Sequence, residues 1–361
     1  MPLDRLSFRG LRNLEAFEMA PGPHINLISG ANGSGKTSLL EGIHLLGMAR
    51  SFRTQKLKSL IVHEGDEMTL HGRLAGDPPV PLGVRRRRDT QELEVRIGGE
   101  RAERLAQLAE ALPLQLINPD AFRLLEGAPA ARREFLDWGV FHAERDFLDA
   151  WKRARRALKH RNALLRHDRI DVASIRVWER ELAHWSEHLD GLREAYMRRF
   201  LPVFEETLSA LLPLPDLRLR YSRGWDRQRA LLDVFESGRD TDRQMGFTQQ
   251  GPQRADLRIR VGRHPAVEVL SRGQQKLVVS ALKLAQGRLL EQLSGRTCLY
   301  LIDDLPAELD GHHRQIFCQW LEQLRCQVFI TSVDREALAD VWQPGTDVTA
   351  SQLAGGRLHP E

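Results

Sequence analysis

The sequence is poor in cysteine, in tyrosine and in long apolar runs, and each shortage removes a class of protein. Cys298, Cys318 and Cys326 are the 3 cysteines of 361 residues, and they show no metal-ligand spacing. An odd, sparse set makes a poor disulfide framework and fits a reducing compartment. No stretch approaches the roughly 18 uninterrupted apolar residues of a membrane span, and the chain opens without a charged-then-apolar leader. The expectation is a cytoplasmic location and no membrane contact. Aromatics make up 6%, with only 3 tyrosines, which disfavours single-strand recognition by base stacking. Low-complexity segments and long-period repeats are missing as well, against a solenoid. What is present, 42% apolar and 28% charged residues, is ordinary globular composition with length for one to three domains.

The most informative feature is Gly30-Ala31-Asn32-Gly33-Ser34-Gly35-Lys36-Thr37, a complete Walker A phosphate loop. Its glycines let the backbone turn where a side chain would clash and face its N–H groups to phosphate oxygens. Lys36 supplies a mobile cation for the β- and γ-phosphates, and Thr37 a hydroxyl for Mg²⁺. The flanks agree. Residues 24–29 read as an apolar strand, and Leu39, Leu40, Ile43 and Leu46 follow at helical spacing. The loop therefore joins a strand to a helix N-terminus, where the dipole favours an anion.

Residues up to about 120 read as β-rich, with strands expected at 68–74, 81–86, 92–97 and 112–117 and a turn at Gly98-Gly99. From there to about residue 212 the period is helical. Ile175, Trp178, Leu182, Trp185, Leu189, Leu192, Tyr196 and Phe200 form one apolar stripe, and Phe147, Trp151, Ala154, Leu158 and Leu165 another. The stripes predict an antiparallel hairpin with arms of about 35–45 Å, its second helix capped by Asp171 and its aromatics in a core. After Pro213 and Pro215 the rhythm is again mixed: strands near 217–221 and 257–261, a helix from 271, a strand at 298–302, a helix at 312–325 and a strand at 328–330. The fold class is α/β. A P-loop ATPase head is expected from both chain ends, residues 1–120 and 213–361, around a mainly helical insertion at 121–212.

Leu299-Tyr300-Leu301-Ile302 runs into Asp303-Asp304, a Walker B pattern. Asp303 is expected to hold Mg²⁺ and Asp304 to orient or deprotonate the attacking water. Leu270-Ser271-Arg272-Gly273-Gln274 opens the long helix. Ser271 and Gln274 suit a capping box, and the same helix start is an anion site. The segment is similar to the L-S-G-G-Q signature of ABC-type ATPases, with Arg272 in place of a glycine. Asp310 stands where the D-loop follows Walker B in that superfamily. The resemblance implies an ATP-dependent head-to-tail homodimer. Ser271 and Gly273 of one copy would touch the γ-phosphate held by the other, and Gln274 and Asp310 are further nucleotide-binding candidates.

Further segments resemble the bacterial RecF family, within the SMC-like ATPases. They are Phe8-Arg9-Gly10-Leu11-Arg12-Asn13-Leu14, Ala49-Arg50-Ser51-Phe52-Arg53-Thr54, Asn118-Pro119-Asp120, Arg132-Arg133-Glu134-Phe135-Leu136-Asp137-Trp138-Gly139 and Gly251-Pro252-Gln253-Arg254-Ala255-Asp256. The resemblance implies a recombination mediator in DNA repair and replication that binds ATP and DNA. It implies action with RecR and RecO in loading RecA at single-strand gaps, support of the SOS response, and a weak, DNA-stimulated ATPase. Departures are specific. Gln253-Arg254-Ala255 stands where relatives often have His-Arg-Asp. Asp304 is one methylene shorter than the usual Glu base, and Thr331-Ser332 stands where transporters carry a switch His. The last two predict slow turnover. Asn118 is a candidate for the Gln-loop position.

The formal net charge is only +4, but its distribution is uneven. Arg85-Arg86-Arg87-Arg88 is one basic run, and residues 145–169 carry nine Lys or Arg against three acids. Arg85, Arg86, Arg87, Arg88, Lys152, Arg155, Arg156 and Lys159 are the candidate contacts to double-stranded or gapped DNA, with little sequence preference. A basic helical insertion argues against a transporter ATPase, and a P-loop kinase would lack the signature at residues 270–274.

Overall fold

In the computed structural model of the chain, residues 2–90, 92–167, 171–305, 309–334, 336–338 and 341–360 are described. Asp168 and Arg169 of the basic stretch, and Glu308 beside the D-loop, lie outside them. Two compact units form. One comprises Met1–Ala121 with Lys276–Glu361, the other Phe122–Gln275.

The first unit begins with β1 (Leu3–Leu11), β2 (Leu14–Met19) and β3 (Ile25–Ser29), then α1 (Lys36–Met48). Strands β4 (Glu67–Leu74), β5 (Val80–Arg87), β6 (Leu93–Ile97) and β7 (Glu100–Arg101) follow, and α2 (Ala106–Ala111) leads to β8 (Leu114–Ile117). One sheet has the order β2-β1-β4-β5-β6-β7, each neighbouring pair antiparallel. Helix α1 is buried almost all round because it lies between this sheet and a second one. Leu39, Leu40, Ile43 and Leu46 are fully buried there, each contributing about 1.5–3 kcal/mol.

The second unit opens with α3 (Arg123–Glu126), α4 (Pro129–Ala143), α5 (Phe147–Leu165) and α6 (Val172–Leu211). Arg153 stacks over Trp185, and His160 over Trp178. Rising numbers on α5 meet falling numbers on α6, so the hairpin is antiparallel. Asp171 caps α6, accepting from the Ala173 N–H at 3.0 Å. The arms are unequal: 19 and 40 residues, about 28 and 60 Å at 1.5 Å per residue, against the expected 35–45 Å. The buried stripe of α5 is Phe147, Ala150, Ala154, Ala157, Arg161 and Leu165, whose alanines let the helices approach. Trp151, Trp178 and Trp185 are only half-buried, at the margin of the expected core.

The second unit continues with β9 (Leu217–Ser222), α7 (Leu231–Met245), β10 (Asp256–Val261), β11 (His264–Pro265) and α8 (Ala266–Val269). Residues 213–275 were expected in the head. Instead β9 pairs with β10 and β10 with β11 in a separate three-stranded sheet. The alternation of Leu217, Leu219 and Tyr221 reports a strand, not the sheet it joins. Arg132 ties α4 to Asp256 of β10 at 2.7 Å, which keeps that sheet with the helices.

Helix α9 (Arg272–Ser294) returns the chain to the first unit, where β12 (Leu299–Ile302), β13 (Val328–Ser332), β14 (Val348–Ala354) and β15 (Arg357–Pro360) complete the second sheet. Its order is β15-β14-β3-β13-β12-β8, parallel except for β15. The strands β3, β13 and β12 end on one edge. Ligands of open parallel sheets bind outside such carboxyl ends.

Candidate nucleotide site

The phosphate loop turns from β3 into α1 between Ser29 and Lys36. Gly33 and Gly35 have φ of 80° and 111°, a region side chains rarely adopt. A Cβ at Gly30 would strike the Leu353 carbonyl oxygen, and one at Gly35 would lie 2.9 Å from Leu14 Cδ2. From outside, Asn13 donates its amide to the Gly33 carbonyl at 3.0 Å and accepts from Ser38 Oγ at 2.9 Å. The Ser34 hydroxyl oxygen is buried without a partner among the described residues. A glycine-formed cradle with an unengaged hydroxyl suits phosphate oxygens.

Opposite the loop, Thr37 Oγ1 lies 3.2 and 3.1 Å from Asp303 Oδ1 and Oδ2. The two Walker motifs therefore converge, although β13 separates β3 from β12 and they are not on neighbouring strands. A hydroxyl and a carboxylate are hard oxygen donors of the kind Mg²⁺ takes beside phosphate, so the residues fit that ion. Asp304 follows with φ of 52°, its N–H donated to Thr331 Oγ1 at 2.9 Å. Lys36, Thr37, Asp303 and Asp304 line a cavity of ≈ 620 Å³. Burial lowers the Lys36 ammonium from its usual pKa, a loss that Asp304 and Asp303 partly offset.

Arg12 and Arg53 also face this cavity, a placement with no local sequence signal beyond the segments quoted above. Glu41 of α1 lies behind them, fully buried. Arg12 donates to both Glu41 oxygens at 2.9 Å, Ser51 donates to the same carboxylate, and Arg53 lies 3.6 Å away. A buried carboxylate requires such partners. One glutamate thus orients two arginines toward the loop.

In the second unit, the Ser271 N–H donates to Gln274 Oε1 at 3.0 Å, and the Gln274 N–H to Ser271 Oγ at 3.3 Å. This is the expected capping box. Gln275 donates to the carbonyls of Leu270 and Val267. Ser271 and Arg272 are exposed, Arg272 is paired with Glu126, and nothing among the described residues crowds a Cβ at Gly273. In the first unit, Asp310 caps the helix Gly311–Gln323 and accepts from the His313 N–H at 3.0 Å. Hydrogen bonds from the His313 backbone and ring hold its carboxyl below the usual range. Asn118 accepts from the Ala121 N–H at 3.1 Å, while the adjacent Pro119 lines the cavity.

Residues 2–352 match the family model described as the RecF/RecN/SMC N terminal domain. The chain is 74% identical, over 100% of both chains, to the DNA replication and repair protein RecF of Chromohalobacter salexigens. It belongs to the RecF family. The RecF of Pseudomonas syringae pv. tomato is 54% identical over 99% of this chain and 98% of its own. Among solved structures, the recombination mediator protein RecF-ATP in the RecFOR pathway matches with a TM-score of 0.87 at 20% identity, covering 100% of this chain and 97% of that one. An SmcHead bound to the C-winged helix domain of ScpA gives 0.59 at 13% identity, over 99% and 96%. At such identities the likeness concerns the fold, the ABC-ATPase head shared by RecF and SMC proteins.

Two basic stretches of this RecF-family chain behave differently. The run at residues 85–88 forms no continuous patch, because Arg85, Arg86 and Arg87 lie on β5 and alternate between faces and Arg88 follows its end. Arg86 points to the core side and is buried. Arg85 donates to Glu67 at 2.6 Å, Arg87 lies 3.8 Å from the same carboxylate, and Arg88 donates to the carbonyls of Val62 and Gly65. The expectation of phosphate contacts from the whole run is cut back at Arg86, which is buried, and for Arg85, Arg87 and Arg88 it stays an expectation. By contrast, Lys152, Arg155, Arg156 and Lys159 are exposed and line one groove of ≈ 650 Å³ on α5. Arg155 lies 5.0 Å over Trp151 and Arg156 6.0 Å over Trp178. Indoles backing guanidinium groups leave the cations outward.

Proposed function

We propose that this chain is an ATP-dependent, DNA-binding recombination mediator in DNA replication and repair. The observation that carries the reading is the meeting of Thr37 and Asp303 beneath the phosphate loop, 3.1 Å apart. Family membership supports the repair role. The finer reading is that it helps load RecA at single-strand gaps with RecO and RecR and supports the SOS response.

In this reading the loop from Gly30 through Ala31, Asn32, Gly33, Ser34 and Gly35 wraps the phosphates with backbone N–H groups. Lys36 turns from its own loop to the β- and γ-phosphates. Bound Mg²⁺, held at Thr37 and Asp303, would neutralise charge on the phosphate oxygens. Asp304 orients the attacking water. Ser271, Gly273, Gln274 and Asp310 from a second copy close the site, so ATP joins two heads and hydrolysis releases them. The short Asp304 base and the missing switch His support a weak, DNA-stimulated ATPase, slower than the ~10 s⁻¹ of a median enzyme.

The α5 groove supports backbone contact with double-stranded or gapped DNA. Its cations stand on the indoles and cover the faces on which bases would stack.

Light scattering with and without ATP, Mg²⁺ and DNA tests the proposal. The expected result is a monomer alone, a dimer with ATP, and a dimer that retains duplex or gapped DNA. A mass unchanged by saturating ATP, or DNA binding indifferent to ATP, would overturn it.

A further inference from the structure

β13 lies between the strand that enters the phosphate loop and the strand that ends at Asp303. Near its end stands Thr331, fully buried at 0% exposure. Its hydroxyl accepts the Asp304 N–H at 2.9 Å and donates to Asp303 Oδ1 at 2.8 Å. One hydroxyl has one proton and two lone pairs, so both bonds coexist. Asp303 is thereby held by two hydroxyls from different elements, Thr37 of α1 and Thr331 of β13. Asp304 has its backbone in the left-handed region, where a non-glycine residue persists only if its surroundings impose it. The hydrogen bond from its N–H to Thr331 is such an imposition. A valine would fill the same volume in a strand equally well, so packing alone does not call for a hydroxyl here.

We propose that Thr331 is a positioning residue of the nucleotide site. It sets the Asp303 carboxylate in the orientation that meets Mg²⁺, and it fixes the turn that aims Asp304. The inference rests on the nucleotide-site reading above. It gives the middle strand a task that neither Walker motif contains: registering the two halves of the site against each other.

The test compares Thr331→Val, which keeps shape and loses the hydroxyl, with Thr331→Ser, which keeps the hydroxyl. A fluorescent ATP analogue is titrated against the full chain in EDTA, and then with increasing Mg²⁺ at fixed nucleotide. Thr331→Val is expected to bind nucleotide in EDTA like the wild type. It should need about tenfold more Mg²⁺ for half-maximal effect, the scale of one lost hydrogen bond to a charged group. Thr331→Ser should return to within about threefold of wild type. Wild-type Mg²⁺ dependence in Thr331→Val would overturn the proposal, as would a Thr331→Ser defect equal to that of Thr331→Val. If Thr331→Val fails to fold, Thr331→Ala takes its place in the comparison with Thr331→Ser. A wild-type chain that shows no Mg²⁺-dependent nucleotide binding would instead defeat the underlying nucleotide-site reading.

Discussion

Lys36 donates its ammonium to the carbonyl oxygens of Gly30 and Ala31, at 2.6 and 3.0 Å. The loop closes on its own cation, and phosphate oxygens must take over those bonds. Replacing Lys36 with Ala should therefore affect binding far more than folding. We expect ATP affinity to fall by about 10- to 100-fold, the scale of a lost charge-assisted hydrogen bond to phosphate. The thermal midpoint should stay within a few degrees. Calorimetric titration beside a melting curve checks both, and near-normal affinity would deny Lys36 its phosphate.

His44 makes the α1 region acid-sensitive. Its Nδ1 lies 2.7 Å from the Arg50 carbonyl oxygen, and burial lowers the imidazole from 6.5 to about 4. The unfolded chain therefore binds a proton at His44 that the folded chain refuses between these values. Stability is full above the unfolded value, declines as pH falls through this window, and loses up to about 3 kcal/mol below it. Urea midpoints from neutral pH down to pH 4 should show the decline, and His44→Gln should flatten it. Parallel curves for the two proteins would contradict the assignment.

Arg161 is fully buried and joins three helices. It donates to Glu179 at 3.1 Å, to Asp242 at 2.6 Å and to Thr248 at 2.8 Å. Arg161→Met would leave Asp242 without this cation and Glu179 with Arg239 as its remaining cation among the described residues. A cost of about 3–5 kcal/mol is expected, because uncompensated buried carboxylates are the larger part of it. Chemical denaturation measures this; a loss below about 1 kcal/mol, the size of an exposed pair, would mean the network is dispensable.

The α5 groove has a salt signature. Reversing Arg155 and Arg156 to Glu should reduce the slope of log affinity against log salt by about 2 for duplex DNA, since each phosphate contact contributes about 0.9. ATP binding should be unaffected. Anisotropy titrations over a range of salt decide it. An unchanged slope would move the DNA surface off α5.

Legibility followed contiguity. The phosphate loop, the Asp303-Asp304 pair, the capping box at Ser271 and Gln274 and the Asp171 cap are local patterns, and the structure reproduces their local geometry. Strand partnership was not legible, because Leu217, Leu219 and Tyr221 alternate identically whichever sheet receives them. The terminal strands β14 and β15 carry little sequence signal because their apolar alternation is thin. Arg85 to Arg88 looked like one patch because adjacent letters hide opposite strand faces. Glu41 carries no motif and Thr331 is marked only by the switch His it stands in place of; their importance comes from neighbours distant in sequence, Arg12 and Asp303. Trp178 and Trp185 sit at the margin of a helical stripe, where periodicity alone cannot separate core from surface.

β3 takes both of its sheet neighbours, β13 and β14, from the far end of the chain. During synthesis at about 5–20 residues per second, the roughly 300 residues between Ser29 and Val328 take about 15–60 s to emerge. Over that interval the strand beneath the phosphate loop has neither edge covered. A truncated product would present that bare strand to its surroundings, so ribosome stalling late in the message should yield insoluble fragments rather than a partly working head.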